Sequence, residues 1–177
     1  MAFAFVRSGI VAALTAQILM VTGVTAAWAQ VNIVVIGASN TLGWGVRPHD
    51  AYPAKLQAML RDSGYKAQVI NAGVIFDTTA RMLRRIDFSV PEGTDIVILQ
   101  PGGNDLRFFG TKEQRSANIE AMVKRLHARK IKVILFDPTI PPQYFQPDGI
   151  HISEQGHAMF AQKLLPQVIA AIEDAPG

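Results

Sequence analysis

The sequence predicts an α/β protein, a three-layer α/β/α sandwich around a short parallel sheet of about four to five strands, and three observations carry that expectation. Short apolar runs at residues 31–36, 67–70, 96–99 and 133–136 alternate with longer stretches whose apolar residues recur every three or four positions, the pattern of βαβ units. The chain has 177 residues, 49% hydrophobic and 18% charged, a size and balance that suit one packed domain and exclude a disordered chain. No internal repeat, low-complexity tract or linker interrupts the stretch from about residue 30 onward.

The first run, 31–36, reads as a fully buried strand that ends in a turn at Gly37. Residues 52–63 place Leu56, Met59 and Leu60 at helical spacing before Gly64 stops them. A second strand follows at 67–70. Asp77 can cap a helix over 78–86, and residues 91–94 form a turn ahead of the third strand, 96–99. Thr111 and Gln114 fit a capping box, which opens a helix with Ile119, Met122, Val123 and Leu126 on its apolar positions. The fourth strand, 133–136, runs into a Pro-rich loop over 137–152. Ser153 caps the last helix, whose apolar stripe is Phe160, Leu164, Leu165, Val168, Ile169 and Ile172. The expected inventory is four strands and four helices.

Residues 1–29 have a different character. They carry a single charge, Arg7, then an apolar run from Gly9 to Met20 and the small-residue end Ala27-Trp28-Ala29, an A-x-A site. The expectation is a secretory leader cut before Gln30, with 30–177 as the folded domain of an exported protein, periplasmic in a bacterial cell. An uncleaved anchor over 9–29 is the alternative, weakened by Thr15, Gln17, Thr22 and Thr25; after cleavage no stable membrane span is expected. The absence of Cys excludes disulfides, thiolate metal sites and Cys nucleophiles. With 17 Lys and Arg against 14 Asp and Glu, the formal charge of +3 predicts no nucleic-acid partner. The basic stretch 124–132 reads as an exposed helix face and C-terminal turn.

Loops at the carboxyl ends of parallel strands converge on one edge, so a site is expected there. The loop after the first strand, Gly37 to Gly45, lacks both the Gly-Lys-Ser/Thr of a phosphate loop and G-x-G-x-x-G. Ser39 directly after a buried strand, among small residues, suits an exposed nucleophile with backbone N–H groups free for an anion; the plain reading is a polar turn. His151 can remove the hydroxyl proton, and Asp148, three residues earlier, can accept from Nδ1 and fix the tautomer; a surface turn is the plain reading. Asn104, after Gly102 and Gly103, can join the backbone N–H groups of Ser39 and Gly73 in an oxyanion hole, or serve as turn chemistry. The conjunction decides, because four separate loops each supply the residue type that acyl transfer needs.

At these residues the chain resembles the SGNH, or GDSL-type, ester hydrolases, a lipase and esterase family with periplasmic thioesterase and arylesterase members. Gly37-Ala38-Ser39-Asn40-Thr41-Leu42-Gly43-Trp44-Gly45 stands for the block G-D-S-x-T-x-G-x-G, followed in order by Asn71-Ala72-Gly73, Gly102-Gly103-Asn104-Asp105 and Asp148-Gly149-Ile150-His151. The resemblance implies a flavodoxin-like SGNH hydrolase fold, Ser39 as nucleophile, His151 as base, Asp148 as its orienter, and Ser39, Gly73 and Asn104 as the oxyanion hole. Three departures stand out. Ala38 occupies the usual Asp position, Ile75-Phe76 replaces a small Ser-Gly pair, and only a short loop separates the fourth strand from Asp148, where many members insert a helix and strand.

Trp44, Phe76, Phe108, Phe109 and Tyr144 are the expected substrate-binding residues, with Phe145 beside them, although each also suits core packing. Phe108 and Phe109, ahead of Gly110, suit a mobile lip, and Arg107 suits an anionic headgroup or plain solvent. The expected function is a secreted serine ester hydrolase acting on small carboxylic, aryl or thioesters through an acyl-enzyme. Alternatives are an envelope glycan O-acetyl esterase or acetyltransferase, and a non-catalytic lipid- or glycan-binding relative. His49, His127, His151 and His157 are the only imidazoles, and without Cys or H-E-x-x-H they assemble no metal set, so neither metal nor cofactor is expected.

Overall fold

The computed structural model describes residues 30–107 and 110–174. Residues 1–29, read as a leader, and Phe108 and Phe109, read as a lip, lie outside the described residues. Four parallel strands, β1 (Val31–Gly37), β2 (Ala67–Gly73), β3 (Ile96–Gln100) and β4 (Lys132–Leu135), form a sheet in the order β2-β1-β3-β4. Six helices accompany them: α1 (Ser39–Leu42), α2 (Tyr52–Asp62), α3 (Thr79–Ser89), α4 (Asn104–Arg107), α5 (Lys112–Ala128) and α6 (Glu154–Glu173).

Successive strand side chains point to opposite faces, and here both faces are covered. Ile33 and Val35 of β1, with Ile96 and Ile98 of β3, pack against Leu56 and Leu60 of α2 and Phe160, Leu164 and Val168 of α6. Their neighbours Val34, Ile36, Val97 and Leu99 pack on the other side against Met82 and Ile86 of α3 and Met122 and Leu126 of α5. The continuous apolar runs follow from this, since an alternating strand would bury polar groups on one face. Each fully buried Ile, Leu or Val contributes about 1.5–3 kcal/mol relative to exposure, which outweighs the low helix propensity at individual positions. Among the described residues, no helix is long and apolar enough to cross a membrane.

The chain leaves β1 toward β2 on one side and returns past it to β3 on the other, so the connections diverge above the carboxyl ends of β1 and β3. Such a switch point opens a crevice between the two loops. Ser39 follows β1 and Asn104 follows β3, so both crevice walls carry a residue singled out from the sequence.

Several expectations need correction. Thr78 rather than Asp77 caps α3, its hydroxyl accepting from the Arg81 N–H at 3.4 Å, because the Asp77 carboxylate is engaged by Arg85 Nε at 2.8 Å. α3 runs on to Ser89. β2 continues to Gly73, three residues past the expected end, since its polar Asn71 sits on an edge strand that meets solvent. β4 starts and ends one residue earlier than expected. Two four-residue helices, α1 and α4, occupy loops expected to be irregular. The capping box holds as expected, with Thr111 Oγ1 accepting from the Gln114 N–H at 3.2 Å and Gln114 Oε1 accepting from the Thr111 N–H at 3.1 Å. Ser153 caps α6 through the Gly156 N–H.

Candidate active site

Ser39 opens α1, so its N–H lies in the first turn of a helix and has no acceptor within that helix. The tight path from β1 into α1 depends on Gly37, where a Cβ would overlap the Thr41 side chain and press on the Gln100 carbonyl. Ala38, at the usual Asp position of the resemblance, is buried in the apolar cluster beneath α3 and α5. Below Ser39, Thr41 Oγ1 meets the Tyr52 hydroxyl at 2.9 Å and donates to Gln100 Oε1 at 3.2 Å, which ties the Ser39 loop to α2 and β3. Burial pushes the Tyr52 phenol up, so it remains a neutral donor to Thr41.

The loop after β4 reaches Ser39 despite its shortness. His151 Nε2 lies 3.1 Å from Ser39 Oγ, and His151 Nδ1 lies 2.5 Å from Asp148 Oδ2. Asp148 Oδ1 accepts the backbone N–H groups of Ile150 and His151, each at 2.9 Å. These bonds to the charged form, the His151 N–H foremost, hold the Asp148 carboxyl down to about 2. An ionised Asp148 can only accept, so Nδ1 carries the proton and Nε2 offers its lone pair to the Ser39 hydroxyl. Gly149, at φ 65°, makes the turn that brings the two side chains together.

Two residues that sequence reasoning passed over hold this loop in place. Asn40, next to Ser39, accepts the Ile152 N–H at 2.9 Å, which anchors the backbone beside His151. Gln146 Nε2 donates to Trp44 O at 2.8 Å and to Ile152 O at 2.9 Å. A polar residue directly after a candidate nucleophile was the available signal for Asn40; Gln146 gave none.

Asn104 is buried at the start of α4 and donates Nδ2 to Asp77 O at 2.8 Å, and the same nitrogen carries a second N–H. A cleft of about 400 Å³ is lined by Ser39, Gly103, Asn104, Arg107, Phe145 and Ile150, among others. The N–H of Gly73, expected as an oxyanion donor, meets Asn71 Oδ1 at 3.0 Å, and the Gly73 Cα packs so closely on the α1 backbone that a Cβ would overlap Leu42 N.

The expected aromatic lining is also redistributed. Trp44 stands beside the imidazole, ring centroids 6.1 Å apart, but lines a neighbouring groove of about 600 Å³ with Leu42, Val46 and Pro53. Tyr144 lies in a short 3₁₀ turn, packs on the core beneath α6, and its carbonyl accepts the Ser153 N–H at 2.7 Å; Phe145, one residue on, packs on the same core and also lines the cleft. Phe76 is 64% exposed and adopts φ 56°, a left-handed conformation that costs a non-glycine residue about 1–2 kcal/mol. The resemblance places a glycine at this position, which would take that conformation freely. His157, in the first turn of α6, is wholly buried against the Tyr52 ring.

Comparison with known proteins assigns the chain to a family and a fold. The GDSL-like lipase/acylhydrolase family matches residues 35–162. Esterase TesA of Pseudomonas aeruginosa is 31% identical over 114 residues, which cover 64% of this chain and 57% of that protein. The chain thus spans less than two thirds of that curated relative. AlinE4, described as an SGNH-hydrolase family esterase, is 30% identical, with a TM-score of 0.60 over 84% of this chain and 82% of AlinE4. A crystal structure of TesA shares the fold, with a TM-score of 0.73 at 22% identity over 79% of this chain and 99% of that one.

Proposed function

The chain belongs to the GDSL-like lipase/acylhydrolase family, and from that premise we propose that it is a serine ester hydrolase in which Ser39, His151 and Asp148 act as a catalytic triad. The observation that carries this reading is the continuous relay from Ser39 Oγ to His151 Nε2 at 3.1 Å and from His151 Nδ1 to Asp148 Oδ2 at 2.5 Å, at the edge of an open cleft.

In the first half-reaction the Ser39 hydroxyl attacks the substrate carbonyl carbon while its proton passes to His151 Nε2. The carbonyl oxygen becomes an oxyanion and accepts from the Ser39 N–H and the free N–H of Asn104 Nδ2. Both donors are fixed before substrate arrives, Ser39 by α1 and Asn104 by its bond to Asp77 O, so little reorganisation accompanies charge formation. As the C–O or C–S bond to the leaving group breaks, His151 returns the proton to that group, leaving an acyl ester on Ser39. Water then repeats the sequence, with His151 as base, and releases the carboxylic acid. Asp148 keeps the imidazole in the required tautomer and balances the imidazolium formed in each step.

The cleft, open and partly apolar through Phe145 and Ile150, suits small carboxylic, aryl or thioesters. Residues 1–29 are proposed to act as an export leader, on the Ala27-Trp28-Ala29 site, which places the enzyme in the periplasm of a bacterial cell. Hydrolysis of p-nitrophenyl acetate and butyrate by wild type and Ser39→Ala tests the reading. Turnover is expected to vanish in the variant, with unfolding free energy within about 1 kcal/mol of wild type. Persistence of turnover in a purified Ser39→Ala protein would overturn the assignment.

A further inference from the structure

Arg85 lies in the interior of α3, outside the cleft lining, and yet makes four hydrogen bonds to three separate segments of chain. Nε donates to Asp77 Oδ2 at 2.8 Å, Nη1 to Ser89 Oγ at 2.8 Å, and Nη2 to both Ala72 O at 2.9 Å and Gly37 O at 3.2 Å. Gly37 is the last residue of β1, two before Ser39. Ala72 is the penultimate residue of β2, and Gly37 and Gly73 are register partners. Asp77 is 1% exposed, and its own carbonyl receives the Asn104 amide. One guanidinium therefore touches the strand end that feeds the nucleophile and the residue that aims the Asn104 side chain.

We propose that Arg85 is a positioning residue for the oxyanion hole: by binding Gly37 O, Ala72 O and Asp77 together, it fixes the Ser39 N–H and the Asn104 amide relative to each other. The inference rests on the hydrolase reading above. Gly37 has no side chain, and the β1–β2 ladder ends at the Gly37–Gly73 pair with the Val74 N–H on Gly37 O at 3.1 Å. The Asp77 carboxylate offsets the guanidinium charge, so Arg85 acts through geometry rather than as a remote cation facing the oxyanion. A lysine cannot substitute, because an ammonium has three donors in a tetrahedral array, whereas these four acceptors are met by a planar fork. Its loss should let the two donors drift apart, and a misplacement of about 1 Å at a reacting centre costs as much as about 100-fold in rate.

The experiment compares full-length wild type, Arg85→Lys and Arg85→Ala in p-nitrophenyl acetate hydrolysis, with active sites counted by fluorophosphonate titration and inhibition by phenylboronic acid, which becomes tetrahedral on Ser39. Per titrated site, kcat is expected to fall about 10- to 100-fold with KM within about threefold, and the boronic acid to bind more weakly in step with kcat. Arg85→Lys, which keeps the charge near Asp77, carries the test if Arg85→Ala does not fold. Unchanged kcat per titrated site in folded Arg85→Lys overturns the inference, as does a loss explained wholly by fewer titratable sites. Failure of the hydrolase reading looks different: wild type itself would then give no titration and no Ser39-dependent turnover.

Discussion

Acidification from pH 7 to 4 is expected to weaken the fold through His157, by an amount that follows from where this imidazole sits. The ring is fully buried and nearly parallel to Tyr52, 6.1 Å between centroids at 20°. Nδ1 accepts the Tyr52 N–H at 3.2 Å, so Nε2 bears the proton of the neutral ring and finds no protein acceptor among the described residues. Burial, with help from the nearby Lys55 charge and against the pull of Asp50, lowers this histidine from 6.5 to about 4. The folded protein therefore refuses a proton that the unfolded chain takes up. Stability from this residue is complete above about pH 6.5, declines as pH falls toward 4, and changes no further once both states are protonated. At about 1.4 kcal/mol per pH unit the window holds about 3.5 kcal/mol at most. Asp50 and Asp148, both held down to about 2, keep their contributions through this window and lose them only as pH falls below their ordinary range toward 2. Urea unfolding followed by circular dichroism at pH 7, 6, 5 and 4.5 would compare wild type with His157→Asn, whose Oδ1 can accept the Tyr52 N–H without titrating. The variant should start about 1–2 kcal/mol less stable at pH 7, from lost packing, and approach wild type as pH falls. Parallel curves across the window would refute the reasoning.

Three further outcomes are expected. Asn104→Ala removes a donor to the oxyanion and should lower kcat for p-nitrophenyl butyrate by about 10²–10³, with KM little changed, in steady-state assays. Asp148→Asn replaces an acceptor of the His151 Nδ1 proton by an amide that can impose the wrong tautomer; kcat should fall about 10³–10⁴ while circular dichroism and melting stay near wild type. Gly73→Ala drives a Cβ into the α1 backbone at Leu42 N and Thr41 C, atoms that no rotamer change can clear. It should cost about 1–3 kcal/mol in urea unfolding and also reduce turnover, because Ser39 opens the displaced helix.

The parts of the fold that were legible in the sequence are those decided locally. β1 and β3 are apolar without interruption because both faces are covered, and the Thr111–Gln114 box marks the start of α5 within four residues. The Asp148–His151 turn was equally readable, since a three-residue spacing around a glycine suffices to bring the two side chains together. What escaped was settled at long range. Asp77 and Thr78 are both good caps, and Arg85, eight residues on, removes the first from competition. α1 and α4 are one turn each, too short for a periodic pattern. Tyr144 and Phe145 both pack on the core, and Phe145, which follows the 3₁₀ turn that begins at Pro142, also lines the cleft.

The account stands most directly on the identity of the acylated residue. Wild-type protein mixed with p-nitrophenyl butyrate, quenched in acid during the pre-steady state and digested for peptide mass analysis, should carry the butyryl group on Ser39, at a level matching the burst of p-nitrophenol and absent from Ser39→Ala. A burst with the acyl group on another side chain, or steady turnover with no acylated peptide at any time, would contradict it.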